Sequence, residues 1–459
     1  MEKHASHISS QAHRLIFSPY DSLDATERRV VKTIAALYVT LLRSFIVAGY
    51  VTLGCLVMMK PKMSTTVYFL WAWSLAEVTF HLFMLFRARF VLDKILPFVR
   101  PCHEDGLALT EEICRSAPRL EEVFGSWQPV GAFDLTRFNT WLVFYWFYKF
   151  PQQLTKQEKK ELTLVQKKIE EVYSIKLRHL PFVKEAGIRP LIEPVPFQCK
   201  PLLVYLMATC IDLASDLALK MMKFRWKQIP GNPLTYWQFT GTSSEPPIFV
   251  MHGLGIGWLM YMLEVRSIRR IHPTRTVVLL NLPMLTITMF AYMATMDQII
   301  AAIEYICKPI GPCSFVTHSY STLIGGWLSR DRPQLIHQMT MLDPICFQTW
   351  KSTLPTNFVY ASPTSCIHEV ARYLLGHDPN ITHLLFRNFH WFQNSVFSRH
   401  FTRPTHVYLA MRDWIVDSEN FYAHLMERTN PNLKVTKFDH HHGDILLSPE
   451  LSKSVWGTL

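Results

Sequence analysis

Charge is scarce in this chain. Of 459 residues, 18% are Asp, Glu, Lys or Arg while 49% are apolar. That ratio excludes a disordered or low-complexity protein, which lacks apolar groups to bury. Long blocks of one sign are missing too. The net charge of +11 is spread thinly, and no zinc-finger or RNA-binding signature accompanies it. Nucleic acid is therefore not an expected partner, whereas a diffuse basic excess suits anionic lipid headgroups. No CxxC pair occurs among the nine Cys, at 55, 102, 114, 199, 210, 307, 313, 346 and 366. Scattered and odd in number, they read as reduced thiols packed as small hydrophobes, in a soluble part facing the cytosol. HExxH and Cys/His ligand spacings are also absent, so neither a metal nor an organic cofactor is expected. Met1 to Val30 is polar and lacks the short apolar core and cleavage site of a secretory signal.

Aromatic residues, by contrast, are plentiful. Thirteen Trp, 17 Tyr and 30 Phe, with a mean hydropathy of +0.09, point to a membrane segment, a channel for a greasy substrate, or both. The length allows two or three packed units.

After a polar segment over 1–32, apolar sequence starts abruptly. Residues 33–59 are interrupted only by Arg43; after Lys60-Pro61-Lys62 a second stretch covers 63–86. Each exceeds the ~20 residues a helix needs to cross a bilayer. A helical hairpin anchor over 33–90 is expected, the alternative being two long helices buried in a soluble cap. Glu77 and His81 lie four apart on one helical face and are expected to pair with each other or receive Arg43. Basic residues flank the outer ends (Arg28, Arg29, Lys32; Arg87, Arg89, Lys94) more heavily than the link. The positive-inside rule then puts both termini in the cytosol.

Residues 91–232 read as a helical cap region. The unbroken aromatic run Trp141 to Phe150 is a core helix or an interfacial anchor. Lys156 to Glu171 reads as a solvated helix of mixed charge. Pro194 and Pro196 mark a break, and Pro201 to Met222 is an apolar helix. Its Asp212, Asp216 and Lys220 at i, i+4, i+8 predict an amphipathic helix rather than a third span.

From 233 the pattern changes to short strands alternating with helices. Leu234–Thr240, Ile248–Met251, Arg275–Leu280, Ser314–Thr317, Met339–Leu342, His406–Met411 and Leu433–Phe438 are the expected strands. Such alternation predicts an α/β fold with a mostly parallel sheet covered on both faces. Several strands end on chemistry-bearing residues: His252-Gly253-Leu254, His318-Ser319-Tyr320, Asp343, Asp413 and the His440–His442 cluster. A serine hydroxyl is inert alone and needs an imidazole to take its proton.

In these residues the segment 233–459 resembles the α/β-hydrolase fold superfamily. The family's nucleophile elbow, G-x-S-x-G, is a strand-to-helix turn that presents the serine. Here it reads Thr317-His318-Ser319-Tyr320-Ser321, with hydroxyl residues in place of both glycines. The resemblance implies Ser319 as nucleophile, Asp413 (in Asp413-Trp414-Ile415-Val416) as orienting acid and His442 as base. Asp343 and Asp417 compete for the acid role, and His441 for that of base. It further implies an oxyanion loop at His252, Gly253 and Leu254, with backbone N–H groups of Leu254 and Tyr320 as donors. The aromatic-rich insertion 344–404 would be a helical lid shaping an apolar pocket. Arg137–Trp141 and Asn388–Trp391 resemble membrane-anchored members of the superfamily from fungi and other lower eukaryotes. The expected activity is cleavage of a lipid or other apolar ester at an endomembrane. An acyltransferase using the same residues and an inactive membrane scaffold are the alternatives. Asn380-Ile381-Thr382 fits a glycosylation acceptor but reads as a chance match. Oligomeric state is not legible.

Overall fold

The computed structural model describes residues 20–59, 64–94, 106–117, 119–127, 133–184, 187–427, 429–446 and 448–459. The polar stretch up to residue 19, the Lys60–Lys62 link and Cys102 lie outside them. The principal helices are α1 (Ala25–Met59), α2 (Thr65–Arg87), α3 (Leu135–Phe147), α4 (Leu202–Met221), α5 (Thr322–Asp331) and α6 (Pro379–Arg387).

Helices α1 and α2 pack on each other. They approach closely at Gly49, where a Cβ would lie 3.0 Å from Glu77 Cγ. Ser64 starts α2 by accepting the Val67 N–H at 3.3 Å. The polar residues of the hairpin do not pair as expected. The buried Glu77 carboxylate accepts the Leu202 N–H, 3.1 Å from each oxygen. His81 Nδ1 meets Tyr50 Oη at 3.1 Å, and Arg43 donates to Gln198 Oε1 at 2.6 Å. The reason is competition: the first turn of α4 presents an amide without an intrahelical partner and the positive end of a dipole, which draw the carboxylate. The N-terminal part of α1 begins before the expected span and packs beside Cys366–Ala371. There Tyr20 Oη donates to Glu369 Oε2 at 3.0 Å.

Among the described residues three helices are long and apolar enough to cross a membrane: α1, α2 with its π-helical extension to Leu92, and α4. The third departs from the sequence expectation. α4 is amphipathic but inverted: Tyr205, Ser215 and Leu219 are buried while Met207, Leu213, Leu217 and Met221 face outward. Asp212 and Asp216 turn inward to a polar cavity shared with Thr235, Asn281 and Thr286.

In the middle region Asp134 caps α3, accepting the Thr136 N–H at 3.0 Å. Phe138, Trp141, Phe144, Trp146 and Phe147 are buried, so the aromatic run is a core helix. Its partners come from the insertion: Tyr145 stacks on Trp391 at 4.3 Å, and Trp350 and Phe397 join the same cluster. The charged helix Lys156–Tyr173 begins with a Thr155/Glu158 capping box and buries Leu162, Val165 and Ile169.

The sheet has eight strands in the order β1-β2-β4-β3-β5-β6-β7-β8. They are β1 (Arg225–Gln228), β2 (Thr235–Phe239), β3 (Ile248–Met251), β4 (Val277–Leu280), β5 (Cys313–His318), β6 (Ile336–Leu342), β7 (Thr405–Ala410) and β8 (Leu433–Phe438). β2 runs antiparallel to β1 and β4, and all other pairings are parallel. Every residue of β3, β4 and β5 is buried, as expected for strands covered on both faces. The sheet begins at Arg225, ahead of the expected boundary at 233, because the exposed edge strand Arg-Trp-Lys-Gln carries no apolar run.

The insertion 344–404 is helical. Asp378 caps α6, accepting from Asn380 N–H at 2.9 Å and Ile381 N–H at 3.3 Å. Asn380 is wholly buried, donates to Thr288 O at 2.6 Å and accepts from Arg87 at 2.7 Å. Its burial leaves no room for a glycan. The eight described cysteines are free thiols.

Candidate active site

The buried strand β5 runs straight into Ser319, which has φ +53°. An L-residue in this left-handed region costs about 1–2 kcal/mol, so the surroundings must hold it. Ser321 does part of this: its hydroxyl accepts the His318 N–H at 3.0 Å and donates to Met251 O at 2.8 Å. Thr322 Oγ1 donates to Ser319 O at 2.6 Å. The serine in place of the elbow's second glycine thus ties the turn to β3. Close packing shifts one turn onward, where a Cβ on Gly325 would lie 3.2 Å from Thr317 Cγ2 and Oγ1.

Opposite the turn stands Gly253. A Cβ there would lie 2.9 Å from Ser319 Cβ and 3.0 Å from both His318 Nδ1 and His318 O. Gly253→Ala is therefore expected to destabilise the fold by about 1–3 kcal/mol, as overpacking does, and to displace Ser319. Thermal unfolding and reaction with a serine-directed probe read the two effects separately.

Asp413 follows β7, and its Oδ1 accepts the Ile415 and Val416 N–H groups at 2.7 and 3.3 Å. Its Oδ2 is left for His442 Nδ1, 2.6 Å away, and His442 Nε2 is 2.8 Å from Ser319 Oγ. Hydroxyl, imidazole and carboxylate form one hydrogen-bonded chain, drawn from the ends of β5, β8 and β7 in the sequence order Ser, Asp, His. The fold is that of the α/β hydrolases.

The competing residues of this α/β-hydrolase fold are otherwise engaged. Asp417 caps Ser418–Met426 through the Asn420 N–H at 3.1 Å. His441 Nδ1 lies 3.2 Å from Arg412 O. Asp343, with φ +44° after β6, accepts the Gly443 N–H at 2.8 Å and lies 3.5 Å from His318 Nε2. It braces the loop that carries His442 rather than bonding the ring.

One positioning group, Tyr261, carries no sequence signal of its own. Tyr261 Oη accepts the Gly253 N–H at 2.7 Å, so its proton goes to His318 Nδ1 at 2.6 Å. His318 then bears its proton on Nε2, toward Asp343. A buried string of polar groups therefore runs from the His252–Leu254 loop, beneath Ser319, to the His442 loop. His252 is likewise fixed. Its Nε2 faces the Leu282 N–H at 3.4 Å, so its Nδ1–H donates to Gly253 O at 2.9 Å. Since the peptide is planar and trans, holding Gly253 C=O sets the opposite direction of the Leu254 N–H. Burial pushes the His252 pKa down to about 4 and also lowers that of His318, so both act as neutral rings.

His442 behaves oppositely. Burial pushes its pKa down, but Asp413 outweighs this with help from Asp343 and Asp444, and the ring is raised to about 9. If His442 serves as a general base it must be neutral to accept a proton, and any activity should then rise with pH through this value. The acid limb of a kcat/KM profile should therefore lie on the alkaline side of neutrality. Asp343→Asn removes one of the raising charges and should move the acid limb of a kcat/KM profile to lower pH.

The insertion borders two cavities. One of about 360 Å³ is lined by Tyr320, Met284, Ile324, Trp327, Leu384 and others. A tighter aromatic cavity of about 50 Å³ lies between the helical region and the lid, among Trp127, Trp141, Tyr145, Leu385, Phe389 and Trp391. Among the described residues no group of three or more His, Cys, Asp or Glu is placed to hold a metal ion.

No family model and no curated protein matches the chain. Solved structures do resemble it. Carboxylesterase CesB from Bacillus subtilis is 11% identical, over 54% of this chain and 96% of its own, with a TM-score of 0.39. The Pyrococcus furiosus esterase Pf2001 is 16% identical, over 52% and 93%, with a TM-score of 0.38. A membrane phospholipase A described as a bacterial virulence factor is 13% identical, over 55% and 91%, with a TM-score of 0.37.

Proposed function

We propose that this protein is a membrane-bound serine hydrolase that cleaves an ester of a lipid or similar apolar acyl compound. The observation that carries the reading is the chain Ser319 Oγ–His442 Nε2 (2.8 Å) and His442 Nδ1–Asp413 Oδ2 (2.6 Å). Ser319 Oγ attacks the ester carbonyl while His442 takes its proton, and Asp413 holds the imidazolium. The Leu254 and Tyr320 N–H groups receive the developing oxyanion, a contribution of about 3–4 kcal/mol per donor. His442 returns the proton to the departing alcohol, leaving an acyl-Ser319 ester. Water attacks that ester, giving its proton to His442, which passes it to Ser319 Oγ as the acyl C–O bond breaks and the acid leaves.

The lipid substrate is supported by what lies beside the larger cavity. The segment leading into its lining residues Ala294–Met296 carries exposed Phe290 and Tyr292. Arg87, at the end of α2, donates to Met289 O at 3.4 Å and lies 5.7 Å above the Phe290 ring. Phe83 meets Phe290 edge-on at 5.7 Å. The segment bordering this cavity thus touches a helix apolar enough to cross a bilayer.

The test uses full-length protein in native membranes. A short alkyl fluorophosphonate should label Ser319, with the site mapped by peptide mass analysis. Folded protein that never labels would overturn the reading in favour of a non-catalytic scaffold. After a carbonate wash the protein should stay in the membrane pellet, and release to the supernatant would remove the membrane placement.

A further inference from the structure

α4 is apolar enough to cross a bilayer, yet only one of its faces is free to meet lipid. Its inner face packs on the segment Gly257–Tyr261 and turns Asp212, Ser215 and Asp216 toward a polar cavity. Hydrocarbon around two carboxylates is costly, so lipid can cover the outer face alone. Met207, Leu213, Leu217 and Met221 are exposed there. A helix with one apolar and one polar side suits the plane of a membrane surface better than a span.

The apolar face continues beyond α4. Leu259, Met260 and Leu263, around Tyr261, are also exposed. Both elements cover the same face of the sheet, since Leu219 and Phe224 share one core with Trp258, Val265 and Ile268. At its other end α4 meets α2, where Phe80 packs edge-on against Tyr205 at 5.3 Å. The exposed residues therefore carry the apolar surface of the hairpin onto the sheet-bearing domain. A Cβ on Gly255 would lie 2.6 Å from Met260 Sδ, so this surface ends beside the His252–Leu254 loop.

Its rim is basic. Lys220, Lys223 and Arg225 adjoin the end of the α4 stripe, and Trp226 beside them is exposed. Arg266 and Arg270 are exposed at i+3 and i+7 from Leu263, on the same side of the helix Met262–Ile271. Over 217–228 and 257–271 the one acidic residue is Glu264, which is buried and accepts the Trp456 indole N–H. A second copy of this chain would set cation against cation here. Anionic headgroups would instead neutralise them, and a Trp among cations is the pattern of the headgroup level.

Resting on the membrane placement proposed above, we infer that α4 and residues 257–270 form a second lipid-binding face, on which the sheet-bearing domain lies against an anionic bilayer surface. The apolar stripe enters the acyl region, while Trp226 and the five cations sit among the headgroups.

The test reconstitutes the full chain in vesicles of phosphatidylcholine and phosphatidylserine with a trace of phospholipid carrying a diazirine on its acyl chain. After illumination, peptide mass analysis maps the adducts. They are expected on α1 and α2, and also on 213–221 and 259–263. Phosphatidylcholine vesicles, or the triple variant Lys223→Glu, Arg266→Glu, Arg270→Glu, should each lower the yield on 259–263 about fivefold, the scale of one basic residue at an anionic surface. The yield on α1 should not change. Adducts on α1 and α2 with none on 213–221 or 259–263 overturn the second face. Equal yields on 259–263 in both vesicle types overturn its preference for anionic lipid. An amine-reactive crosslink joining Lys223 of two copies, with those segments free of adducts, would give the face to a dimer and overturn it too. Absence of adducts on α1 and α2 as well removes the membrane placement itself, a distinct failure.

Discussion

Ser319→Ala is expected to lower ester hydrolysis by about a million-fold in kcat, the scale seen when a serine nucleophile is removed. In the proposed reaction this hydroxyl forms the acyl bond, and among the described residues no other hydroxyl contacts His442 Nε2. Binding and the oxyanion donors would survive, so a residue of catalysis, roughly 10³–10⁴ over water, should remain. The variant should fold normally, since Ser319 Oγ makes its hydrogen bond to His442 and the elbow is held by Ser321 and Thr322. Ester turnover with thermal unfolding on the same preparation checks this. Activity within tenfold of wild type would place the nucleophile elsewhere.

Asp413→Asn is the second large effect, about 10⁴-fold in kcat. The Ile415 and Val416 N–H groups occupy Oδ1, so an asparagine would keep its carbonyl there and turn its NH₂ toward His442 Nδ1. The imidazole would then carry its proton on Nε2, facing Ser319, and would be unable to accept another. Asp343→Asn should behave differently: its oxygen can still receive the Gly443 N–H, and the change should be chiefly in the pH profile. A collapse in Asp343→Asn with a mild effect in Asp413→Asn would reverse the two roles.

Much of this arrangement was legible in the chain. β3 to β7 announce themselves because well-buried strands are short apolar runs, and β8 does so by alternating apolar and polar residues. Ser319, Asp413 and His442 stand out because each follows such a run in a recognisable order. What stayed hidden depends on distant partners. Tyr261 sits before the helix Met262–Ile271 with nothing local to tie it to His318, 57 residues away. Glu77 was expected to find its own helix neighbour but meets an amide 125 residues on. β1 was missed because exposed edge residues need no apolar pattern.

The outward stripe of α4, with Met207 55%, Leu213 63%, Leu217 60% and Met221 77% exposed, bears on handling the purified molecule. In plain buffer such a patch seeks any apolar cover, and another molecule's identical stripe is the nearest. Dimers or larger species seen without detergent would then measure the solvent's aversion to these side chains rather than a physiological assembly. Stoichiometry should be measured in amphiphile.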